Sequence, residues 1–194
     1  MLIGLSVVVA IFSRLGANEA VNERFFITRG FADDDAGILP EIAGGQFWRL
    51  LTPIFLHFGP MHLIFNMLWL KDLGTVIEKL ASTRVLLGLV LVAGVLSNVG
   101  QFMAAGPFFG GMSGVVYALL GFVWMKSRFD PGSGFYLDKQ TVIMMVGWFF
   151  LCMTGALGHV ANYAHGYGLG IGMLWGFISA KFQRSGRADP RFGA

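Results

Sequence analysis

Long apolar runs broken by short polar or glycine-rich connections dominate the chain. Met1 to Phe12 is apolar, with no basic stretch before it and no small-x-small cleavage site, and reads as a first span reaching to about Arg14. Ala17 to Gln46 is polar, carries Asp33, Asp34 and Asp35 together, and is too polar to cross a membrane. Phe47 to Phe58 opens with Trp48 and Arg49 and is rich in apolar and aromatic residues, a pattern suited to a membrane–water interface. A second span is predicted over Met61 to Leu70, its helix running on to Val76, and a third over Val85 to Ala105. Gly106 and Pro107 break the third, and Gly110-Gly111 makes a loop. Ser113 to Met125 is a short fourth span, Gln140 to Leu157 a fifth and Asn162 to Phe182 a sixth. No internal repeat or low-complexity segment interrupts this order.

Composition sharpens the picture. The 194 residues are 55% hydrophobic and 13% charged, whereas soluble domains carry about 25% charged residues. The expectation is an all-α polytopic membrane protein, a bundle of six transmembrane helices with a short central fourth helix. Residues 1–182 form the bundle and 183–194 a basic tail.

The net charge of +3 lies in connections and tail, not in an aromatic-lined groove, and gives no reason to expect nucleic acid as a partner. It does orient the chain. Lys71, Lys79 and Arg84 follow span two; Lys126, Arg128 and Lys139 join spans four and five; Lys181, Arg184, Arg187 and Arg191 close the sequence. The 106–112 and 157–161 connections hold no Lys or Arg, and 17–46 is net acidic. The positive-inside rule then puts both termini in the cytoplasm, and Ser113 starts its helix from the external side. A single cysteine, Cys152, excludes an intramolecular disulfide and a Cys-rich metal site, and reads as a small core residue.

Three polar constellations interrupt this apolar background. Gly110-Gly111-Met112-Ser113-Gly114 sets a serine after a glycine turn, at the start of an apolar helix. Glycines allow close backbone approach, and free N–H groups at a helix start can hold an oxyanion. A serine N-cap among small packing residues would look the same.

His165 lies inside an apolar span, where an ionisable side chain is costly and marks function. Its imidazole is available in neutral form as a base near neutral pH, though a core histidine bonded to a backbone carbonyl is the alternative. Gly168, Gly172 and Gly176 recur every four residues, and Gly114, Ala118 and Gly121 offer a matching small face. Docking these stripes would bring Ser113 and His165 into hydrogen-bond reach.

His62 and Asn66, spaced i, i+4, share one helix face and could donate to a developing oxyanion with the Ser113 N–H, or simply glue helices together. Tyr117, one turn after Ser113, could stack on the His165 ring, or pack as an ordinary aromatic. No Asp or Glu lies near His165 in sequence, so the expected machinery is a dyad. His57 is read as structural, and His159 is left without a role.

Other chemistries fit poorly. A metalloprotease would want His-Glu-x-x-His, which is missing, and irregular histidine spacing gives no zinc set. An aspartyl mechanism needs facing carboxylates, but Asp72, Glu78 and Asp138 lie at the cytoplasmic ends of spans. No cofactor or metal is expected. A small transporter would want paired broken helices and repeats.

Taken in order, Trp48-Arg49, His62-x-x-x-Asn66, Gly111-Met112-Ser113-Gly114 and Ala164-His165-x-x-Gly168-x-x-x-Gly172 resemble the rhomboid intramembrane serine proteases. The similarity covers roughly residues 47 to 180. It is closest to the bacterial six-span GlpG type, here without that type's soluble cytoplasmic N-terminal domain. The strings Met61-His62-Leu63-Ile64-Phe65-Asn66, Ser113-Gly114-Val115-Val116-Tyr117-Ala118-Leu119 and Arg128-Phe129-Asp130-Pro131-Gly132-Ser133-Gly134 are very like it. The segment between Trp148 and His165 departs from the pattern.

The resemblance implies a Ser113–His165 dyad in a water-filled cavity open to the outside, with His62, Asn66 and the Ser113 N–H as oxyanion hole. Gly111, Gly114, Tyr117, Gly168 and Gly172 would support them. It also implies that Trp48 and Arg49 belong to a loop partly in the membrane. Span five and the 155–161 loop would be gate and cap. The chain itself would lie in a bacterial inner membrane, and its substrates would be single-span proteins, cut near an unwound segment with a small residue before the scissile bond. The other reading is an inactive rhomboid-like protein that binds membrane clients.

Overall fold

A computed structural model describes residues 1–30, 39–156, 158 and 160–188. Asp33, Asp34, Asp35, His159 and Arg191 lie outside the described residues. The described chain is helical, without strands. Its helices are α1 (Leu2–Phe12), α2 (Glu19–Phe25), α3 (Pro40–Ala43), α4 (Pro60–Leu80), α5 (Thr83–Ala105), α6 (Ser113–Phe129), α7 (Lys139–Met153) and α8 (Asn162–Ala188). Two 3-10 turns, Phe47–Leu50 and Thr52–Phe55, precede α4.

Helices occupy all six stretches that the hydropathy pattern reads as spans. Among the described residues, α5 is the one helix long and apolar enough to cross a bilayer by length and composition alone; α1 and α7 are apolar but shorter.

The centre of the fold is α6. Every residue from Gly114 to Val123 is buried, so this stretch of the helix has no solvent or lipid face. A helix apolar all round must be enclosed by others, and α8, α5 and α4 enclose it. Outward faces carry Ile11, Phe12, Leu68, Leu91, Ile143, Phe150 and Leu174, all exposed. An apolar girdle of this kind suits a hydrocarbon solvent.

Three boundaries differ from the sequence expectation. The fourth helix does not stop at Met125, and Lys126 is no connection residue. It lies within α6, 1% exposed, with its ammonium 2.5 Å from Asp130 one turn on. A paired charge can be buried where a lone one could not, and the Phe135 ring covers the same nitrogen at 5.8 Å. The second helix runs to Leu80, past the expected Val76. The fifth ends at Met153 and not at Leu157, because Gly155 takes φ +77° and Gly158 φ +79°, values that stop an α-helix.

The segment before α4 is organised by Arg49. Its side chain is 2% exposed, donating from Nη1 to the carbonyls of Glu23 (2.7 Å) and Phe26 (2.8 Å) and from Nε to Gln46 Oε1 (2.7 Å). Trp48, its sequence neighbour, is exposed. The expected interfacial pair therefore splits: one residue points outward and the other pins a polar loop against the bundle.

Candidate active site

The α5–α6 connection is shaped by close approach. Gly111 has φ +127°, which favours glycine, and its N–H donates to the Pro53 carbonyl at 3.0 Å. A Cβ there would meet His62 Nε2 at 2.6 Å and lie 3.7 Å from Ser113 Oγ. One small space therefore touches both side chains. At Gly110 a Cβ would stand 2.6 Å from that of Leu56.

Ser113 is the first residue of α6, and Met112 is the cap position, with no side-chain cap bond. The Ser113 hydroxyl is 2.8 Å from His165 Nε2. With Oγ as donor, Nε2 is the acceptor and the ring hydrogen lies on Nδ1. Nδ1 is buried and has no hydrogen-bond partner among the described residues.

Two groups fix the start of α8, where His165 sits. Gln101 Oε1 accepts the Ala164 N–H at 3.0 Å, satisfying a donor that a helix start leaves open. Asn162 donates from Nδ2 to the Cys152 carbonyl at 3.1 Å. The His165 ring lies against Tyr117, centroids 4.8 Å apart, and Tyr117 donates its hydroxyl to the Met145 carbonyl at 3.0 Å. Phe149 closes the other side of Tyr117 at 5.6 Å.

The approach of α8 to α6 depends on glycine. A Cβ at Gly168 would fall on the Gly114 carbonyl oxygen, and one at Gly172 on the Ala118 carbonyl oxygen. At Gly176 it would stand 2.6 Å from the Phe122 carbonyl oxygen, and at Gly121 2.6 Å from that of Leu169. Backbone meets backbone along the whole seam. Gly114 also faces Ser97, whose Oγ would lie 2.6 Å from an added Cβ.

On the other side, His62 Nδ1 accepts the Phe58 N–H at 3.3 Å. That bond leaves Nε2 as the protonated nitrogen, beside Gly111. Asn66, 5% exposed, donates one Nδ2 hydrogen to the His62 carbonyl at 2.8 Å. The amide's second hydrogen remains beyond that bond.

Sequence reasoning underrated the residues behind this wall. His57 is fully buried. Its Nδ1 lies 3.0 Å from the Phe55 carbonyl, so Nδ1 carries the hydrogen and Nε2 accepts from the Met112 N–H at 3.5 Å. In this connection, burial first and then the His62 ring hold its pKa down at about 4, against the opposing Phe55 bond. On α5, Ser97, Asn98 and Gln101 are all buried, and Asn98 reaches the Leu50 carbonyl at 2.9 Å. The signal was present: Ser-Asn-x-x-Gln in an otherwise apolar span.

Among the described residues, no three His, Cys, Asp or Glu side chains gather as a metal site. His57 and His62, centroids 5.1 Å apart, are already committed to backbone partners.

A family comparison matches the Rhomboid domain to residues 44–182. The matched stretch takes in Arg49, His57, His62, Asn66, Ser113 and His165 and every helix from α4 to α7. It covers well over half of the sequence, and the chain belongs to the Rhomboid family of integral membrane proteins.

Proposed function

We propose that this chain is a GlpG-type intramembrane serine endopeptidase that cleaves single-span membrane proteins within or near their spans. The observation that carries the reading is the 2.8 Å contact between Ser113 Oγ and His165 Nε2 beside the glycine-lined space that His62 Nε2 faces.

The chemistry runs in two halves. His165 Nε2 takes the Ser113 proton as Oγ bonds to the scissile carbonyl carbon. The carbonyl π electrons move to oxygen, and the oxyanion is held by His62 Nε2–H, Asn66 Nδ2–H and the Ser113 N–H at the start of α6. The imidazolium then protonates the departing amine as the C–N bond breaks, leaving an acyl-serine. Water gives a proton to His165, adds to the ester carbonyl, and releases the acid as Ser113 recovers its proton. Tyr117 holds the imidazole by ring contact, the task that an acidic third member performs elsewhere.

The basic connections support six spans with both termini in the cytoplasm, 183–194 as a basic cytoplasmic tail, and a site reached from the external face of a bacterial inner membrane. The looseness of α7 supports a role for it as a gate. Only Met145 and Cys152 of that helix are buried, and the Phe65–Trp148 ring contact at 5.5 Å joins it to α4.

The test is cleavage of a model single-span substrate in detergent, with fluorophosphonate labelling. Ser113→Ala and His165→Ala each abolish cleavage, and the label lands on Ser113 only while His165 is intact. Labelling of another serine overturns the assignment. Client capture without cleavage by the unmodified protein, unaltered in Ser113→Ala, gives the non-catalytic reading instead.

A further inference from the structure

A second feature lies where α1 meets α4, and Ser113 is not among its lining residues. Val7, Ala10, Ile11 and Leu15 from the first helix and its end, with Leu63 of α4, line a groove of about 520 Å³. Arg14 is the one charged residue among its lining residues. Its side chain is exposed, and its guanidinium has neither a hydrogen bond nor an ion pair among the described residues.

The backbone holds Arg14 there against its preference. Arg14 has φ +50°, Leu15 φ +55° and Gly16 φ +91°, three left-handed residues in a row. Side chains with a Cβ avoid this region, and such conformations persist where surrounding contacts over-determine them. Those contacts are present. The Leu15 N–H donates to the Ala10 carbonyl at 2.8 Å, Asn22 Nδ2 donates to the Gly16 carbonyl at 2.7 Å, and the Gly59 N–H donates to the Leu15 carbonyl at 3.1 Å. The Phe58 ring packs where a Cβ on Gly16 would stand. Without this turn the chain would carry Arg14 on along α1.

The combination selects an occupant. In an integral membrane protein an apolar groove on the outer surface meets acyl chains. A fixed cation at its mouth adds a preference for a negative headgroup, and a guanidinium pairs well with phosphate oxygens. We propose that the α1–α4 groove is a binding site for an anionic phospholipid, one acyl chain lying along Val7, Ile11 and Leu63 and the phosphate on Arg14. The site is also wired to the wall of the candidate active site. The Leu15 carbonyl holds Gly59, and the neighbouring Phe58 N–H holds His62 Nδ1.

The experiment is native mass spectrometry of the full chain in mild detergent, titrated separately with dioleoyl phosphatidylglycerol and dioleoyl phosphatidylcholine. The acyl chains are identical, so the headgroup alone differs. The unmodified protein is expected to retain its first phosphatidylglycerol at a concentration at least fivefold below that needed for phosphatidylcholine. Arg14→Gln brings the two within twofold, and Arg14→Lys keeps the preference. Leu63→Trp fills the groove and weakens retention of both lipids at least fivefold. If that variant does not elute as a folded monomer, Val7→Phe replaces it. Equal retention of the two lipids by the unmodified protein overturns the proposal. So does a preference that survives Arg14→Gln, or groove-filling variants that keep both lipids.

Discussion

Replacing Gly172 by alanine tests whether backbone contact between α6 and α8 sets the Ser113–His165 distance. The new methyl would fall on the carbonyl oxygen of Ala118. That oxygen belongs to a buried helix backbone and cannot swing aside, so α8 must retreat by roughly 1 Å or more to restore a van der Waals separation of about 3.5 Å. His165 lies two turns earlier on the same helix and moves with it. Its 2.8 Å contact with Ser113 Oγ then opens beyond hydrogen-bond range. A displacement of this size costs about 100-fold in kcat, and overpacking costs about 1–3 kcal/mol of stability. Gly170→Ala supplies the control on the same helix. Nothing lies within 4 Å of its added Cβ, so the substitution gains up to about 1 kcal/mol of helix propensity and leaves the rate unchanged. The assay is cleavage of a single-span substrate in detergent, paired with denaturant unfolding of each variant. If Gly172→Ala cleaves as fast as Gly170→Ala, close packing of the two helices does not set the catalytic distance, and the reasoning fails.

Tyr117→Phe keeps the ring against His165 but loses the bond to the Met145 carbonyl, so it should cost about 1 kcal/mol of stability with kcat nearly unchanged. Tyr117→Ala frees the imidazole and should cost about 100-fold in kcat; equal rates for the two variants would remove the positioning role. His57 gives a pH signature. Its folded-state pKa of about 4 lies below the ordinary 6.5, so between these values the unfolded chain binds a proton that the folded chain refuses. The contribution is complete above pH 6.5 and is lost as pH falls toward 4, about 3 kcal/mol in all. Unfolding free energies measured from pH 7 to 4 should fall more steeply for the unmodified protein than for His57→Gln, and parallel curves would contradict this. Arg49→Gln strands the buried Phe26 carbonyl and the part-buried Glu23 carbonyl and should cost about 2 kcal/mol, read as a lowered denaturation midpoint; an unchanged midpoint would show that the loop before α4 is held by other contacts.

The order of the six longer helices was legible because six apolar runs are set apart by glycine breaks or charged connections, while α2 and α3 lay unread in the polar 17–46 stretch. The residues of the candidate site were legible because Ser113, His62, Asn66 and His165 are polar where polarity is costly. Boundaries were less so. Lys126 looked like a connection charge, since its partner Asp130 sits beyond the apolar run and only a completed helical turn brings them together. The support behind the site was hidden more deeply. Gln101 meets the Ala164 N–H across 63 positions and Asn98 meets the Leu50 carbonyl across 48. No local pattern reports a hydrogen bond from a side chain to a distant backbone group. Arg49 was noticed beside Trp48, but which of the two turns inward is decided by the Glu23 and Phe26 carbonyls, a feature of the folded loop.

On the proposed mechanism, these hidden contacts would explain how two groups can suffice where, among the described residues, no carboxylate bonds the imidazole. A carboxylate beside an imidazole does two things: it orients the ring and it stabilises the positive charge that forms. Orientation is supplied here by packing. Tyr117 lies across the ring, Gln101 and Asn162 hold the first turn of α8, and glycine lets that helix rest on the carbonyls of α6. The charge is the harder part, because a buried imidazolium is disfavoured without a partner. The aromatic face of Tyr117 at 4.8 Å supplies one attraction of the cation–π kind. On the proposed mechanism the oxyanion that forms on the substrate carbonyl oxygen as the imidazole is protonated would supply another, since the two charges arise together. On that mechanism, stabilising the pair depends on holding the serine and the imidazole at a fixed separation, and the helix seam that does so would belong to the catalytic apparatus with the two side chains.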